Sequence, residues 1–285
     1  MTYAGKAASV HDRLIAKARA IGSDFNLLLT RYSLERFLYR LSTSHYQADF
    51  LLKGALLFGL WYDTPRRPTR DADLLGLESR NLEETAAIFR EICSIPCEDG
   101  IKFLADSIQA SYIREDARHG GIRVDLVGML GNARCPVQID IGYGDVVTPD
   151  SEVVKLKQIL DDNPAPVMNV YPRETVIAEK FKALVHLGMA NSRMKDFFDL
   201  HVLIQDFHFD RGMVARAIER TFNRRGTPFP ESLPVGLSEE FALDRTKQVQ
   251  WRSFLGKNKL EAPPLGEVVR ILRDFWMSFS WLPGS

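Results

Sequence analysis

Apolar residues recur every third or fourth position over residues 8–42, where Leu14, Ile21, Leu27, Leu28, Leu29, Leu34, Phe37, Leu38 and Leu41 stand. That spacing predicts helix. Residues 50–60 read as a short strand, a turn at Gly54, and then a helix. Residues 69–77 alternate polar and apolar side chains, as a half-buried strand does, and residues 81–93 form an amphipathic helix. Residues 122–129 and 137–141 alternate or run apolar between glycine-containing turns, the pattern of paired strands. Asp161-Asp162-Asn163-Pro164 is a loop signal. From Tyr171 onward the period is helical again, interrupted by the Pro/Gly-rich residues 226–237. The pattern predicts an α/β (α+β) chain, with N-terminal helices and a small mixed sheet in residues 1–170 and a helical domain in residues 171–285.

Composition adds limits rather than direction. With 285 residues the chain can bury one large core or two modest ones, and 45% apolar with 26% charged residues is ordinary for a globular protein. The most apolar stretch, residues 50–61, is too short to cross a membrane and contains Lys53. The first ten residues lack the apolar core of a signal peptide, so a cytoplasmic location and no membrane partner are expected. Three cysteines without a CxxC pair argue against a disulfide framework and a zinc site. The net charge is zero but unevenly spread. Residues 51–170 hold 13 Lys/Arg against 19 Asp/Glu, while residues 1–50 hold 7 against 4 and residues 171–285 hold 17 against 14. An acidic centre between basic flanks suits metal chemistry in the middle and polyanion contacts at the edges, or simply an uneven solvated surface.

Thr69-Arg70-Asp71-Ala72-Asp73-Leu74 carries the first candidate chemistry. Side chains two apart on a strand share a face, so Asp71 and Asp73 point the same way. Two such carboxylates repel unless a cation sits between them. Mg²⁺ takes oxygen ligands and commonly binds one or two carboxylates plus substrate phosphates. A strand face that is acidic by chance gives the same pattern. Upstream, Phe50-Leu51-Leu52-Lys53-Gly54-Ala55 puts a glycine where a strand enters a helix, a place where backbone N–H groups can meet a phosphate; an ordinary tight turn reads alike. A two-metal site needs a third acid. Asp140, in Val137-Gln138-Ile139-Asp140-Ile141, and Asp125, in Arg123-Val124-Asp125-Leu126, both qualify.

A second constellation lies downstream. Residues 174–187 form a helix with Pro172 near its first turn. Val176, Ile177, Phe181, Leu184 and Leu187 make its apolar face, and Lys180 falls inside that face, whereas Glu179 and Lys182 point away. A lysine on a buried stripe needs a partner or must snorkel. On the next helix Asp196 and Asp199 are three apart and share a face. They can orient Lys180 or a metal-bound water, or pair with Arg193.

Taken in order, these segments resemble the AbiEii/AbiGii toxin family, a branch of the DNA polymerase β-like nucleotidyltransferases, over nearly the whole chain. The resemblance rests on Arg31-Tyr32 through Leu41, Phe50 to Ala55, Thr69 to Leu74, Gln138-Ile139-Asp140-Ile141-Gly142-Tyr143-Gly144-Asp145, Ala178-Glu179-Lys180, and Arg193-Met194-Lys195-Asp196-Phe197-Phe198-Asp199-Leu200. It favours Asp140 over Asp125 as third acid. It departs at Ala55, where the broader superfamily usually carries Gly or Ser. Alanine offers no hydroxyl to a phosphate there, while backbone N–H groups would still reach it.

The resemblance implies a polymerase β-like core and a toxin of a two-gene system with a cognate antitoxin. It also implies transfer of NMP from an NTP to an RNA acceptor, as some members do at the tRNA 3′ end. Asp71, Asp73, Lys180 and Asp196 are the expected catalytic residues, and Asp71, Asp73 and Asp140 the expected Mg²⁺ ligands. Lys53, Gly54, Ala55, Thr69 and Arg193 are the candidates for contacting the nucleotide. A phosphate on Thr69, on the same strand face as Asp71, would put negative charge beside the metal ligands. Arg216, Arg220 and Arg224 recur every fourth residue and form a candidate RNA-guiding stripe, or a solvated helix face. Two other readings stand beside this one. One is transfer to a small molecule such as an aminoglycoside; the other is a catalytically silent nucleotide- or RNA-binding module.

Overall fold

The computed structural model describes residues 2–62, 67–113 and 120–279. The chain divides into two compact units, Met1–Gly144 with Glu152–Val170, and Asp145–Ser151 with Tyr171–Ser285.

The first unit opens with α1 (Tyr3–Ala20) and α2 (Phe25–Thr43). The helical stretch expected over residues 8–42 is thus two helices. Gly22 sits at φ +63°, which ends α1, and the Asp24 carboxylate accepts from the Leu27 N–H at 2.9 Å and so caps α2. Next come β1 (Phe50–Lys53), a 3₁₀ turn over Gly54–Leu57, the single helical turn α3 (Phe58–Trp61), and β2 (Asp71–Gly76). Helix α4 (Leu82–Ser94) starts on a reciprocal cap between Asn81 and Glu84. The remaining strands are β3 (Ile101–Tyr112), β4 (Ile122–Leu130), β5 (Ala133–Tyr143), β6 (Glu152–Lys155) and β7 (Val167–Val170). The hydrophobic pattern does not mark β3, β6 or β7 as strands. All seven form one mixed sheet in the order β3-β4-β5-β2-β1-β7-β6.

One face of this sheet is apolar. Phe50, Leu52, Ala72, Leu74, Ile122, Val124, Ile139 and Ile141 are all buried there. Phe37 of α2 stacks on Phe89 of α4 at 5.3 Å, and Phe50 meets Phe89 edge-on at 6.2 Å, so the two helices cover that face. Each such buried aromatic contributes about 1.5–3 kcal/mol. Polar alternates in the same strands are thereby turned to the opposite face.

The second unit is helical: α5 (Arg173–Leu187), α6 (Met194–Asp206), α7 (Arg211–Arg224), α8 (Glu239–Leu243), α9 (Arg245–Asn258) and α10 (Leu265–Met277). Its core is aromatic. Phe181 lies 5.3 Å from Trp276, which also stacks on Phe229 at 5.9 Å, and Phe197 stacks on Phe241 at 5.0 Å. Among the described residues no helix is long and apolar enough to cross a membrane.

Candidate functional site

Two polar constellations stand out, one in each unit. In the first, β1 pairs antiparallel with β2 so that Lys53 faces Asp73, and β2 pairs parallel with β5 so that Asp73 faces Asp140. In turn, β5 pairs with β4 so that Asp140 faces Arg123. Directly paired residues present their side chains on one face, so Lys53, Asp73, Asp140 and Arg123 form a single row across four strands. Asp71, Gln138 and Asp125 form the row beside it. Both rows lie on the face opposite the apolar core, with Asp71, Asp73 and Asp140 partly exposed.

The turn after β1 is shaped around this row. Gly54 has φ +74°, and a Cβ placed there would lie 2.6 Å from Asp73 Cγ. Only glycine combines that backbone conformation with that close approach. The helix expected after Gly54 is a four-residue 3₁₀ turn followed by a single α-turn, so its dipole is short and the backbone amides are the main resource for a phosphate. Ala55 is buried, its methyl packed into protein. Thr69 is also buried, and its hydroxyl donates to the Asp71 carboxylate. That hydrogen bond orients Asp71 from the residue two before it, which lies ahead of the strand itself.

Asp140 is engaged differently from Asp71. Arg123 Nε donates to its Oδ1 at 2.8 Å and Arg123 Nη2 to its Oδ2 at 2.7 Å, a two-pronged pair that occupies both carboxylate oxygens. Arg123 itself is held more firmly in its charged form, first by the Asp140 hydrogen bonds and then by the charges of Asp140, Asp125 and Asp71. Asp125 is exposed and lies on β4, separated from β2 by β5. Among the described residues no group of three or more His, Cys, Asp or Glu side chains converges as a metal cage. The same-face pair Asp71 and Asp73 has the oxygen chemistry that suits a divalent cation shared with substrate phosphates. The carboxylate of Asp140, the third expected ligand, lies level with Asp73 and pairs with Arg123.

In the second unit, Lys180 of α5 sits between two buried carboxylates of α6. Its Nζ donates to Asp196 Oδ1 at 2.9 Å and to Asp199 Oδ2 at 2.7 Å. The Arg193 Nε lies 2.7 Å from Asp196 Oδ2, with its side chain half exposed. Asp196 thus has a cation on each oxygen. The Asn191 carbonyl side chain accepts from the Arg193 N–H at 2.8 Å, and the Asn191 backbone carbonyl accepts from the buried Lys247 ammonium at 3.0 Å, which sets the start of α6. Two of the three expected options hold together: Asp196 and Asp199 both accept from Lys180, and Asp196 also pairs with Arg193.

Several polar residues are not visible as site residues in the sequence. Arg123 is one; its only signal is the alternation that puts it and Asp125 on the polar face of β4. Another group surrounds Tyr171, a buried phenol hydrogen-bonded to Asp145 at 3.5 Å and to Glu179. Burial, and then the charges of Glu179 and Asp145, push its ionisation far up. Arg225 pairs with Asp145 in the same cluster. Glu179, expected to point away from the apolar face of α5, is half-buried and joins this network. Arg216, Arg220 and Arg224 of α7 are exposed, while Val214, Ile218 and Phe222 are buried.

Residues 36–280 match the family described as nucleotidyl transferase AbiEii toxin, type IV TA system. Among solved structures, JHP933 from Helicobacter pylori is 17% identical with a TM-score of 0.47, covering 85% of this chain and 87% of that one. A second H. pylori chain, solved as a candidate nucleotidyltransferase, is 16% identical with a TM-score of 0.46, covering 94% and 92%. Curated protein sequences give no match. The family match spans most of the chain and includes both constellations: this protein belongs to the AbiEii family of nucleotidyltransferase toxins.

Proposed function

We propose that the protein transfers a nucleoside monophosphate from an NTP to an RNA hydroxyl, with the tRNA 3′ end as acceptor and Mg²⁺ as cation. The observation that supports this best is the Asp71/Asp73 pair on one polar strand face, with the Gly54 turn closed against Asp73. The acceptor oxygen attacks the α-phosphorus, the bond to the pyrophosphate oxygen breaks, pyrophosphate leaves, and the acceptor proton passes to solvent or a nearby base. When bound, Mg²⁺ supplies charge neutralisation on the phosphate oxygens. Asp71 and Asp73 would hold it, and Thr69 would fix the Asp71 carboxylate.

Backbone amides at Gly54 and Ala55, with Lys53 beside them, are the proposed phosphate contacts. In the second unit we assign Lys180 the role of a preorganised positive charge, with Asp196 and Asp199 keeping it oriented. Arg193 is proposed as a further nucleotide contact. Membership in a toxin–antitoxin family supports a cognate antitoxin as partner.

Incubating the protein with each α-³²P-NTP, Mg²⁺ and total cellular RNA tests this reading. The expected result is label on tRNA that 3′ exonuclease removes. Absence of label in every RNA fraction, or label on a small-molecule acceptor only, would overturn it.

A further inference from the structure

Helix α9 has two unlike faces. Inward, the buried Trp251 donates from Nε1 to the Pro263 carbonyl at 3.0 Å, Phe254 meets Phe198 of α6 at 5.9 Å, and the buried Lys247 ammonium is held by the Asn191 carbonyl. Outward, Arg245, Val249, Arg252, Ser253, Gly256 and Lys257 are exposed. Their spacing puts them on one side of the helix, and Arg245 to Lys257 spans about 18 Å at about 1.5 Å per residue. The helix holds no acid. Among the described residues Arg245, Arg252 and Lys257 pair with no carboxylate, whereas Arg270 and Arg273 of α10 both meet Asp274. On α7, by contrast, Glu219 stands between Arg216 and Arg220, so α9 is the less compensated of the two basic helices.

Gly256 stands among these cations without an internal requirement for glycine. The left-handed cap that ends α9 falls on Lys259, at φ 52°, and not on Gly256. A Cβ at Gly256 would meet nothing within 4 Å. Glycine inside a helix is less stable than alanine. What it provides here is a notch on the outer face, open to a chain approaching from outside between Arg252 and Lys257.

We propose that the outer face of α9 binds the sugar-phosphate backbone of the RNA acceptor. Arginine guanidinium groups match phosphate oxygens in pairs, and the Thr246 and Ser253 hydroxyls can donate to phosphate or ribose. Val249 is the one large apolar side chain on this face, too little for the apolar centre of a protein interface and in keeping with a polar, positively charged nucleic-acid surface. Such contacts position the acceptor without reading its sequence. This inference rests on the reading of the acceptor as RNA.

Fluorescence anisotropy of labelled mixed tRNA with the whole chain, over a salt series, tests it. Replacing Arg245, Arg252 and Lys257 together with Gln should weaken tRNA binding at least tenfold and flatten the log–log salt slope by about 2, at about 0.7 for each phosphate no longer neutralised. NTP affinity should stay within about twofold. Gly256→Gln keeps the charge and improves helix propensity, so it should melt no lower than the parent yet bind tRNA at least threefold more weakly. Polyglutamate of equal charge should bind the parent at least tenfold more weakly than tRNA. If the triple variant keeps the parent's tRNA affinity and salt slope, or Gly256→Gln binds as the parent does, the α9 surface is overturned while the RNA acceptor reading stands. If polyglutamate binds as tightly as tRNA, the face suits an acidic protein, which also overturns the proposal. A parent chain that binds no tRNA overturns the proposal and the RNA acceptor reading together.

Discussion

The Asp73 carboxylate lies directly against the α-carbon of Gly54, so close that a single methyl added to Gly54 would overlap it. The turn after β1 and the acid on β2 are thereby one structural feature. Gly54→Ala is expected to cost roughly 1–2 kcal/mol from the positive φ alone, and to push Asp73 out of its row. Nucleotide transfer should fall by about 10²-fold or more, the scale of losing one preorganised group. Thermal melting together with labelled-nucleotide transfer checks both parts; near-parent transfer by a folded Gly54→Ala protein would break the link between the turn and the acid.

Asp71 and Asp73 are partly exposed on the polar face, and neither supports the apolar core. Asp71→Asn and Asp73→Asn should therefore abolish transfer while melting close to the parent. Transfer near the parent level in either variant, with Mg²⁺ present, would remove these residues from the reaction.

Lys180 separates stability from function in a more demanding way. Removing it leaves Asp196 and Asp199 buried without their shared cation, so Lys180→Met should lower stability by about 3–5 kcal/mol. Adding Asp196→Asn and Asp199→Asn should recover part of that deficit by lowering the negative charge buried beside the lost ammonium, with Arg193 still next to residue 196. Transfer should stay absent in the triple variant. Recovery of transfer along with stability would make Lys180 a structural residue only.

His201, half buried on α6, has its pKa lowered, first by burial and against the opposing charges of Asp206 and Glu267. A histidine whose folded pKa is depressed binds its proton more weakly in the native state than in the unfolded chain. Stability is then full above the ordinary histidine range and declines as pH falls through about 6.5 toward the lower folded value. Urea unfolding between neutral and mildly acidic pH should show this decline, and His201→Gln should reduce its slope. Equal slopes for parent and variant would mean that His201 is not the group responsible.

The exposed Arg216 and Arg220 are like charges four apart on α7, a spacing that costs helix stability unless an anion satisfies it. If they guide RNA, replacing both with Ala should weaken tRNA binding and flatten its salt dependence by about 1.4 in log–log slope, at about 0.7 for each phosphate no longer neutralised. NTP binding should change little. An unaltered slope would move the acceptor surface off α7.

What the sequence determined was local. The two-residue period of a strand puts Asp71 and Asp73 on one face, because successive side chains must alternate. The helical period puts Lys180 on the same stripe as Phe181 and Leu184, and the three-residue step puts Asp196 and Asp199 on one face of α6; that both carboxylates meet Lys180 depends on how α5 packs on α6. The tertiary structure decided whatever depends on which segment lies beside which. The partner of Asp140 follows from the register of β4 on β5, where Arg123 falls opposite it; sequence distance carries no information about that register. Gly54 meets Asp73 only because β1 and β2 pair antiparallel. Likewise β3, β6 and β7 gain their strand identity from neighbours in the sheet, since a weakly alternating segment becomes a strand through ladder hydrogen bonds that its own residues do not encode.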